Sequence, residues 1–407
     1  MTITADLAQA AETHARETSA TPPTGPGQSS AGQDLTAGSA GIALLHIERA
    51  RSGLDDWRTA HAFVQDAASE PVSVHDTSGL FLGAPALAFA LDAAAGTSSR
   101  YRAGLADLDR PLAQLAHRRS DAGLARIRGA RPATFAEYDV FAGLTGLGTL
   151  LLRRDPGGSA LEHVLTYLVA LTRPLPLADQ VVPGWWVNHD PTRSAPDGYP
   201  GHANLGVAHG IAGPLALLAQ AARRGATVNG HHQAITDLCD WLLRWRCKDA
   251  PGAWWPEHLS AEELRHGRSR STGPSRPSWC YGTPGIARAG QLAAIAVGDD
   301  KLQRLFEDAL LACVSDESQL ARLTHPGLCH GWAGTFQTTW RAAADATTPA
   351  LHATLPRLAD GLLTAANTPV EHGPGLLNGT AGTALALHTA ATDTAPRSGW
   401  DACLLIG

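Results

Sequence analysis

Two short elements of the sequence, Trp279-Cys280-Tyr281-Gly282 and Cys329-His330-Gly331, set a cysteine two places ahead of a glycine. A third, Ala208-His209-Gly210, sets a histidine one place ahead. Thiolates and imidazoles are the ligands zinc prefers, and Cys280, Cys329 and His330 make a Cys2His set. Three protein ligands leave one of four tetrahedral positions open, which marks a catalytic rather than a structural site. Nothing in the chain resembles a blue-copper or iron–sulfur run, so one zinc ion per chain is the expected metal. The remaining cysteines, Cys239, Cys247, Cys313 and Cys403, form no Cys-x-x-Cys pair. They lie on helical stripes or at the terminus and read as small apolar side chains.

What brings such distant residues together is a repeat. Gly-x-x-Gly followed by an apolar run recurs at Gly38/Gly41, Gly143/Gly146, Gly210/Gly213, Gly282/Gly285, Gly331/Gly334 and Gly379/Gly382, and a seventh copy at Gly83 carries Ala86 in the second place. Aligned on the first glycine, the position two residues earlier holds Thr36, Phe81, Phe141, Ala208, Cys280, Cys329 and Leu377. The next position holds Ala37, Leu82, Ala142, His209, Tyr281, His330 and Asn378. Equivalent positions of a ring share one rim, so this register predicts that Cys280 and Cys329 face each other with His330 and His209 beside them. Helix N-termini there favour the thiolate form. Asp139, four residues before Gly143, is a candidate N-cap.

Copies lie 45 to 72 residues apart, the length of a helical hairpin with insertions. After each glycine pair the apolar residues run nearly all round, as in the stretch from Gly210 to Gly225. Between copies the pattern is one-sided: Leu302, Leu305, Phe306, Ala309, Leu310 and Cys313 form a stripe, with Lys301, Arg304, Glu307 and Asp308 off it. Buried helices alternating with amphipathic ones predict an all-α fold, an α,α-toroid of seven inner and seven outer helices over residues 35–407. Residues 1–34, rich in Ala, Thr, Gly, Pro and Ser, read as a flexible tail. Strand pattern is confined to Val181–His189, inside a rim insertion over 180–203, and predicts at most a small β ornament.

Composition narrows the partners. The chain has 407 residues, 44% of them apolar, 17% charged, and a net charge of −6. It has no long basic run, so the electrostatic case for nucleic acid or an anionic membrane is missing. No uninterrupted apolar stretch of spanning length and no signal peptide are seen, which predicts a cytoplasmic protein with reduced cysteines.

With these segments in view, the chain resembles the lanthionine synthetase C (LanC) family, the cyclases of lanthipeptide biosynthesis. The matching stretches are YDVFAGLTGLG from Tyr138, NLGVAHGIAG from Asn204, RPSWCYGTPGIARA from Arg276, CHGWAGT from Cys329 and LLNGTAGTALAL from Leu376. The polar stretch His266–Ser275 ahead of Arg276 is the part least like the family. The resemblance implies zinc on Cys280, Cys329 and His330, catalytic importance for His209 and Asp139, and support from Arg276 and Tyr281. It implies a dehydrated precursor peptide with a leader as substrate, whose cysteine adds to dehydroalanine or dehydrobutyrine. No dehydratase-like region precedes the toroid, as in stand-alone cyclases that work with a separate dehydratase and an exporter. In that chemistry His209 removes the thiol proton or protonates the enolate, Asp139 orients His209, and Arg276 holds the enolate oxygen or a peptide carbonyl. The aromatic segment Gly184–His189 is a candidate leader surface. Other readings are addition of glutathione or another small thiol to dehydrated residues, a prenyltransferase-like α/α barrel, for which the diphosphate-binding basic cluster is missing, and a metal-free peptide-binding scaffold.

Overall fold

The computed structural model describes residues 3–20, 32–177, 180–191, 200–250, 252–368 and 373–407. Among them stand fourteen helices of 11 residues or more. In chain order they are α1 (Ile3–Ala20), α2 (Ser39–Arg51), α3 (Trp57–Ala67), α4 (Ala84–Ala95), α5 (Arg102–Arg128), α6 (Leu144–Arg154) and α7 (Ser159–Leu171). The second half comprises α8 (Ala212–Arg223), α9 (His231–Arg244), α10 (Thr283–Val297), α11 (Asp300–Ser315), α12 (Trp332–Asp345), α13 (Leu355–Ala366) and α14 (Thr380–Thr392). The even-numbered helices are the apolar ones that follow the glycine pairs. Each packs on the next, and α14 packs on α2, so they close a ring of seven. The odd-numbered helices form the outer layer, packed on the inner ring. The α,α-toroid expected from the repeat is therefore the observed architecture.

Amphipathicity explains the outer layer. In α11, Asp299 caps the first turn by accepting from the amides of Lys301 and Leu302, and Phe306, Ala309, Leu310 and Cys313 are buried against α10. Gly290 of α10 leaves the room that the Phe306 ring fills, since a Cβ there would stand 2.4 Å from it. Glu307, which the stripe places outside, is turned inward and takes hydrogen bonds from Gln291, Gln303 and Thr347.

One expectation is corrected at the N-terminus. Residues 3–20 are not a flexible tail: they are α1, the seventh outer helix, and α1 lies along α14. Leu7, Ala10, Ala11, Ala15 and Thr18 are buried there, on one stripe at helical spacing. The stripe is made of small side chains because it faces an inner helix that is itself Ala- and Thr-rich, and close approach replaces bulk. Residues 21–31 of the expected tail lie outside the described residues.

Strands are wider spread than the sequence suggested, although each sheet is small. β1 (Leu175–Leu177) pairs with β2 (Gln180–Val182), β3 (His202–Asn204) with β6 (His258–Ser260), and β4 (Cys247–Ala250) with β5 (Gly252–Trp254), all antiparallel. Residues 192–199 of the rim insertion lie outside the described residues. Trp185 and Trp186 are 2% and 1% exposed, so the Gly184–His189 segment is not the exposed aromatic surface proposed for a leader. Trp185 instead packs edge-on against Trp241 of α9.

The C-terminal segment fills the middle of the ring. Trp400, Asp401 and residues 403–406 are buried, and the carbonyls of Leu404, Leu405 and Ile406 accept from Trp279 (2.7 Å), Gln220 (2.8 Å) and Arg288 (2.9 Å). Asp401 takes hydrogen bonds from Gln337 and Arg341 of α12. The inner helices are apolar all round because they pack against outer helices on one side and this segment on the other. Among the described residues, no helix is long and apolar enough to cross a membrane.

Candidate functional site

The loops that enter the inner helices are joined in a circle by backbone hydrogen bonds. Leu35 donates to Phe81, Phe81 to Phe141, Val140 to Ala208, Ala208 to Cys280, Cys280 to Cys329, Cys329 to Leu377, and Leu377 to Thr36, over 3.0 to 3.2 Å. The acceptors are the seven residues two places ahead of the first glycine, so the repeat register is also the hydrogen-bonding register. The second glycine of each pair makes the loop possible. In Gly285 and Gly334 a Cβ would stand 2.0 Å from the Trp279 carbonyl and 1.8 Å from the Leu328 carbonyl, so the loop crosses its own helix at a distance no side chain tolerates.

This circle puts Cys280 and Cys329 side by side through a 3.2 Å bond from the Cys280 amide to the Cys329 carbonyl. The ligand atoms of Cys280, Cys329 and His330 all lie within 4.8 Å of one another. Ligands about 2.0–2.3 Å from a tetrahedral ion stand about 3.5 Å apart, so small inward shifts would bring the three atoms onto one ion, and the donor set fits zinc. Cys280 is buried while Cys329 and His330 are partly exposed, which leaves the cluster open to solvent on one side. The Cys280 thiol is held well below the ordinary range, first by the hydrogen bond from Cys329 and further by His330 and Ser278. Cys329, as the donor in that pair, is held well above it. Cys280 thus accepts and Cys329 donates in the protein alone, and a divalent ion bound there would displace the proton between them. Ser278 lies 3.6 Å from the Cys280 sulfur and accepts from the amides of Tyr281 and Gly282, which fixes the turn that aims Cys280. The ring of His325 stands 5.4 Å from that of His330.

Next in the circle is a histidine–carboxylate pair. His209 Nδ1 lies 2.6 Å from Asp139 Oδ2. The other carboxylate oxygen, Oδ1, accepts from the amides of Ala142 and Gly143 at 2.8 Å each. Asp139 is therefore not the expected N-cap, since Gly143 caps α6 with no side-chain bond; its Oδ1 holds the loop ahead of the helix and its Oδ2 faces His209. Asp139 is 1% exposed, and the His209 side chain is 26% exposed. The imidazole stacks on Phe135 and Phe141 with ring centres 5.1 and 5.0 Å away, and its backbone carbonyl accepts from the buried Tyr138 hydroxyl at 3.0 Å. Tyr281 links the two halves: it follows Cys280 in the chain, and its ring stands 6.1 Å from that of His209. Burial, with the neighbouring thiolate next, raises its phenol well above the ordinary range, so it stays protonated and can donate. Arg276 is exposed and reaches the Cys329 thiol by its charge alone.

A lanthionine synthetase C-like protein family model matches residues 29–405, nearly the whole chain. The chain belongs to the lanthionine synthetase C-like family. A curated relative, the nisin biosynthesis protein NisC of Lactococcus lactis subsp. lactis, is 26% identical over 211 residues, 49% of this chain; the chain spans about half the length of that relative. A solved structure titled nisin cyclase superposes with a TM-score of 0.78 at 20% identity, covering 98% of this chain and 96% of that one, and so shows the shared toroid. In this LanC-like chain the sequence register pointed to Cys280, Cys329, His330 and His209 on one rim, and the family resemblance added Asp139. The register placed Phe141 on that rim without giving it a role, and it missed Ser278, Phe135 and the Tyr138 hydroxyl. Of these only Ser278 had a signal, the same place four residues before the first glycine that Asp139 occupies in its own repeat.

Proposed function

We propose that this chain is a zinc-dependent lanthipeptide cyclase. It joins a cysteine thiol of a dehydrated precursor peptide to the β-carbon of a dehydroalanine or dehydrobutyrine in the same peptide. The observation that carries the proposal is the open Cys280–Cys329–His330 cluster standing beside the His209–Asp139 pair. Cys280 and Cys329, as thiolates, and neutral His330 would hold the ion. When bound, zinc lowers the pKa of a thiol so that it is a thiolate at neutral pH, and the two protein thiolates keep that sulfur electron-rich.

The balance of the reaction sets the tasks of the remaining groups. The thiol gives up its proton, the sulfur–carbon bond forms as the double bond breaks, and the α-carbon of the enolate then takes a proton. With Asp139 accepting from Nδ1, neutral His209 leaves Nε2 free to take the thiol proton and to return one to carbon. Its Phe135 and Phe141 neighbours and the Tyr138 hydrogen bond hold the ring for that transfer. Arg276 and the protonated Tyr281 supply positive charge and a donor for the enolate oxygen or for a peptide carbonyl. We place the protein in the cytoplasm, where its six free cysteines persist as thiols, receiving peptide from a separate dehydratase and passing product to an exporter.

The test is incubation with a dehydrated, cysteine-containing peptide, read by mass spectrometry after thiol alkylation. Ring closure removes alkylatable thiols with no change of mass, whereas addition of glutathione to the same peptide adds the mass of the thiol. Cys280→Ala should lose both zinc and closure, and His209→Ala should keep zinc and lose closure. Full closure by His209→Ala removes His209 from the mechanism, and closure by a protein shown to be free of zinc ends the proposal.

A further inference from the structure

The chain contains only two lysines, Lys248 and Lys301, and both line one groove on the outer wall of the toroid. The groove runs between the β4–β5 hairpin and α11 and encloses about 550 Å3. Along α11, Lys301, Arg304, Leu305, Asp308 and Ala309 follow helical spacing and face it; from the other side come Arg246, Lys248 and Ala253. Four cations therefore surround an apolar floor with one carboxylate, Asp308, among them. In the outer layer Arg126 pairs with Glu137 and Arg118 with Asp76. Arg246, Lys248, Lys301 and Arg304 make no ion pair among the described residues, and Arg246 Nε is buried with no hydrogen-bond partner. In a protein of net charge −6, four unpaired cations at one depression form a local field opposite in sign to the whole.

We propose that this groove docks an acidic, leucine-bearing segment of the peptide substrate, away from the segment being cyclised. The apolar floor of Leu305, Ala309 and Ala253 suits an aliphatic side chain between carboxylates, and the surrounding cations suit the carboxylates. A peptide fits better than a nucleic acid, because no exposed aromatic ring lines the groove to stack a base and the rest of the molecule is acidic. The location adds a length rule. α10 starts at the metal-bearing rim and α11 returns toward it, so Arg304 lies about 16 Å of helix rise before the rim end of α11. With the thickness of two helix layers added, the path to the cluster is about 30 Å, and an extended chain needs about nine residues to cross it. The docked segment is thus a recognition element separated from the reacting cysteine, and this reading rests on the cyclase function proposed above.

The probe is a fluorescein-labelled dodecapeptide, three repeats of Asp-Glu-Leu-Glu, followed by anisotropy at low and high salt. Its lysine counterpart and a twelve-nucleotide oligouridylate serve as comparisons. Wild-type protein should bind the acidic probe best, less tightly as salt rises, and Lys301→Glu/Arg304→Glu should weaken it about tenfold or more. Lys248→Glu/Lys301→Glu is a second variant at exposed positions, and circular dichroism checks both folds. Equal binding by wild type and both folded variants overturns the proposal, as does oligouridylate binding as tightly as the acidic peptide. In a separate arm, the variants should close a short dehydrated peptide without acidic residues at the wild-type rate. They should raise KM about tenfold, with kcat unchanged, for the same peptide extended by the acidic segment. If wild type closes neither peptide, the cyclase reading has failed, while the anisotropy still decides whether the groove binds acidic chains.

Discussion

Replacing Asp139 by Asn tests the proton-transfer assignment because its two carboxylate oxygens serve different partners. Oδ1 caps the loop through the Ala142 and Gly143 amides, and Oδ2 takes His209 Nδ1 at 2.6 Å. Asn has the same shape, so its carbonyl oxygen keeps the two amides and its NH2 then faces His209. A donor against a donor is repulsive, and the neutral ring adopts the tautomer with its proton on Nε2, where the base was needed. Loss of the charge-assisted bond alone is worth about 1.5–3 kcal/mol, or about 10- to 150-fold if felt wholly in the transition state. The corresponding tautomer change in a Ser-His-Asp triad lowers kcat about 10⁴-fold. We therefore expect kcat for ring closure to fall by between about 10² and 10⁴, with zinc content unchanged, because Asp139 touches none of the three ligands. Asp139→Ala should lose as much activity and also orphan two amides, lowering stability by about 1–3 kcal/mol in urea titration where Asn does not. Rates are read as loss of alkylatable thiol, and metal by elemental analysis of the same sample. An Asn variant within threefold of the wild-type kcat, or one that loses zinc in step with activity, refutes the assignment.

Gly334→Ala sets a Cβ 1.8 Å from the Leu328 carbonyl and must push the loop that carries Cys329; it should cost more than about 2 kcal/mol and release zinc to a chelator sooner than wild type. Gly157→Ala, with open space around it, should stay within about 0.5 kcal/mol in the same urea titration. Leu7→Ala should cost about 2–5 kcal/mol by urea denaturation, whereas a flexible tail predicts no change. His46 is buried on the Phe63 ring with neither nitrogen hydrogen-bonded, and burial pushes its pKa down to about 4. The unfolded chain binds this proton more readily, so stability should fall by about 3 kcal/mol as pH drops from 6.5 to 4, and His46→Leu should flatten that slope in pH-dependent urea midpoints.

The site was legible because the repeat is a hydrogen-bonding register. Aligning glycines aligns the carbonyls that link neighbouring loops, so Cys280 and Cys329, distant in the chain, meet as consecutive links of the circle. α1 was not legible for a related reason. Its buried stripe is Leu7, Ala10, Ala11, Ala15 and Thr18, and a reading that looks for bulky apolar side chains overlooks a helix that packs by closeness. The aromatic pair Trp185 and Trp186 misled in the opposite sense: hydrophobic bulk in a loop was read as contact surface, yet the strands and α9 cover it. Phe135 carries no periodic or polar signature, and Phe141 shares the register position of the two cysteines without a polar group, so their stacking on His209 emerges only from the folded loops.

The same register determines what removing the metal should do. In a zinc finger the ion supplies most of the folding free energy, because little else holds its ligands together. Here the Cys280 amide already donates to the Cys329 carbonyl, Cys329 donates to Leu377, and Ser278 holds the turn before Cys280. The helices behind these loops are closed into a ring and braced by the C-terminal segment through Trp279, Gln220 and Arg288. The scaffold is thus complete without the ion, and zinc would exchange only the proton shared by two thiols for a divalent charge. Chelation should abolish closure while leaving the far-ultraviolet circular dichroism and the urea m-value of the holoprotein, with a loss of stability that returns on adding one equivalent of zinc. Cooperative unfolding on chelation would show instead that the circle of backbone bonds depends on the ion, and that the ligands are not prearranged.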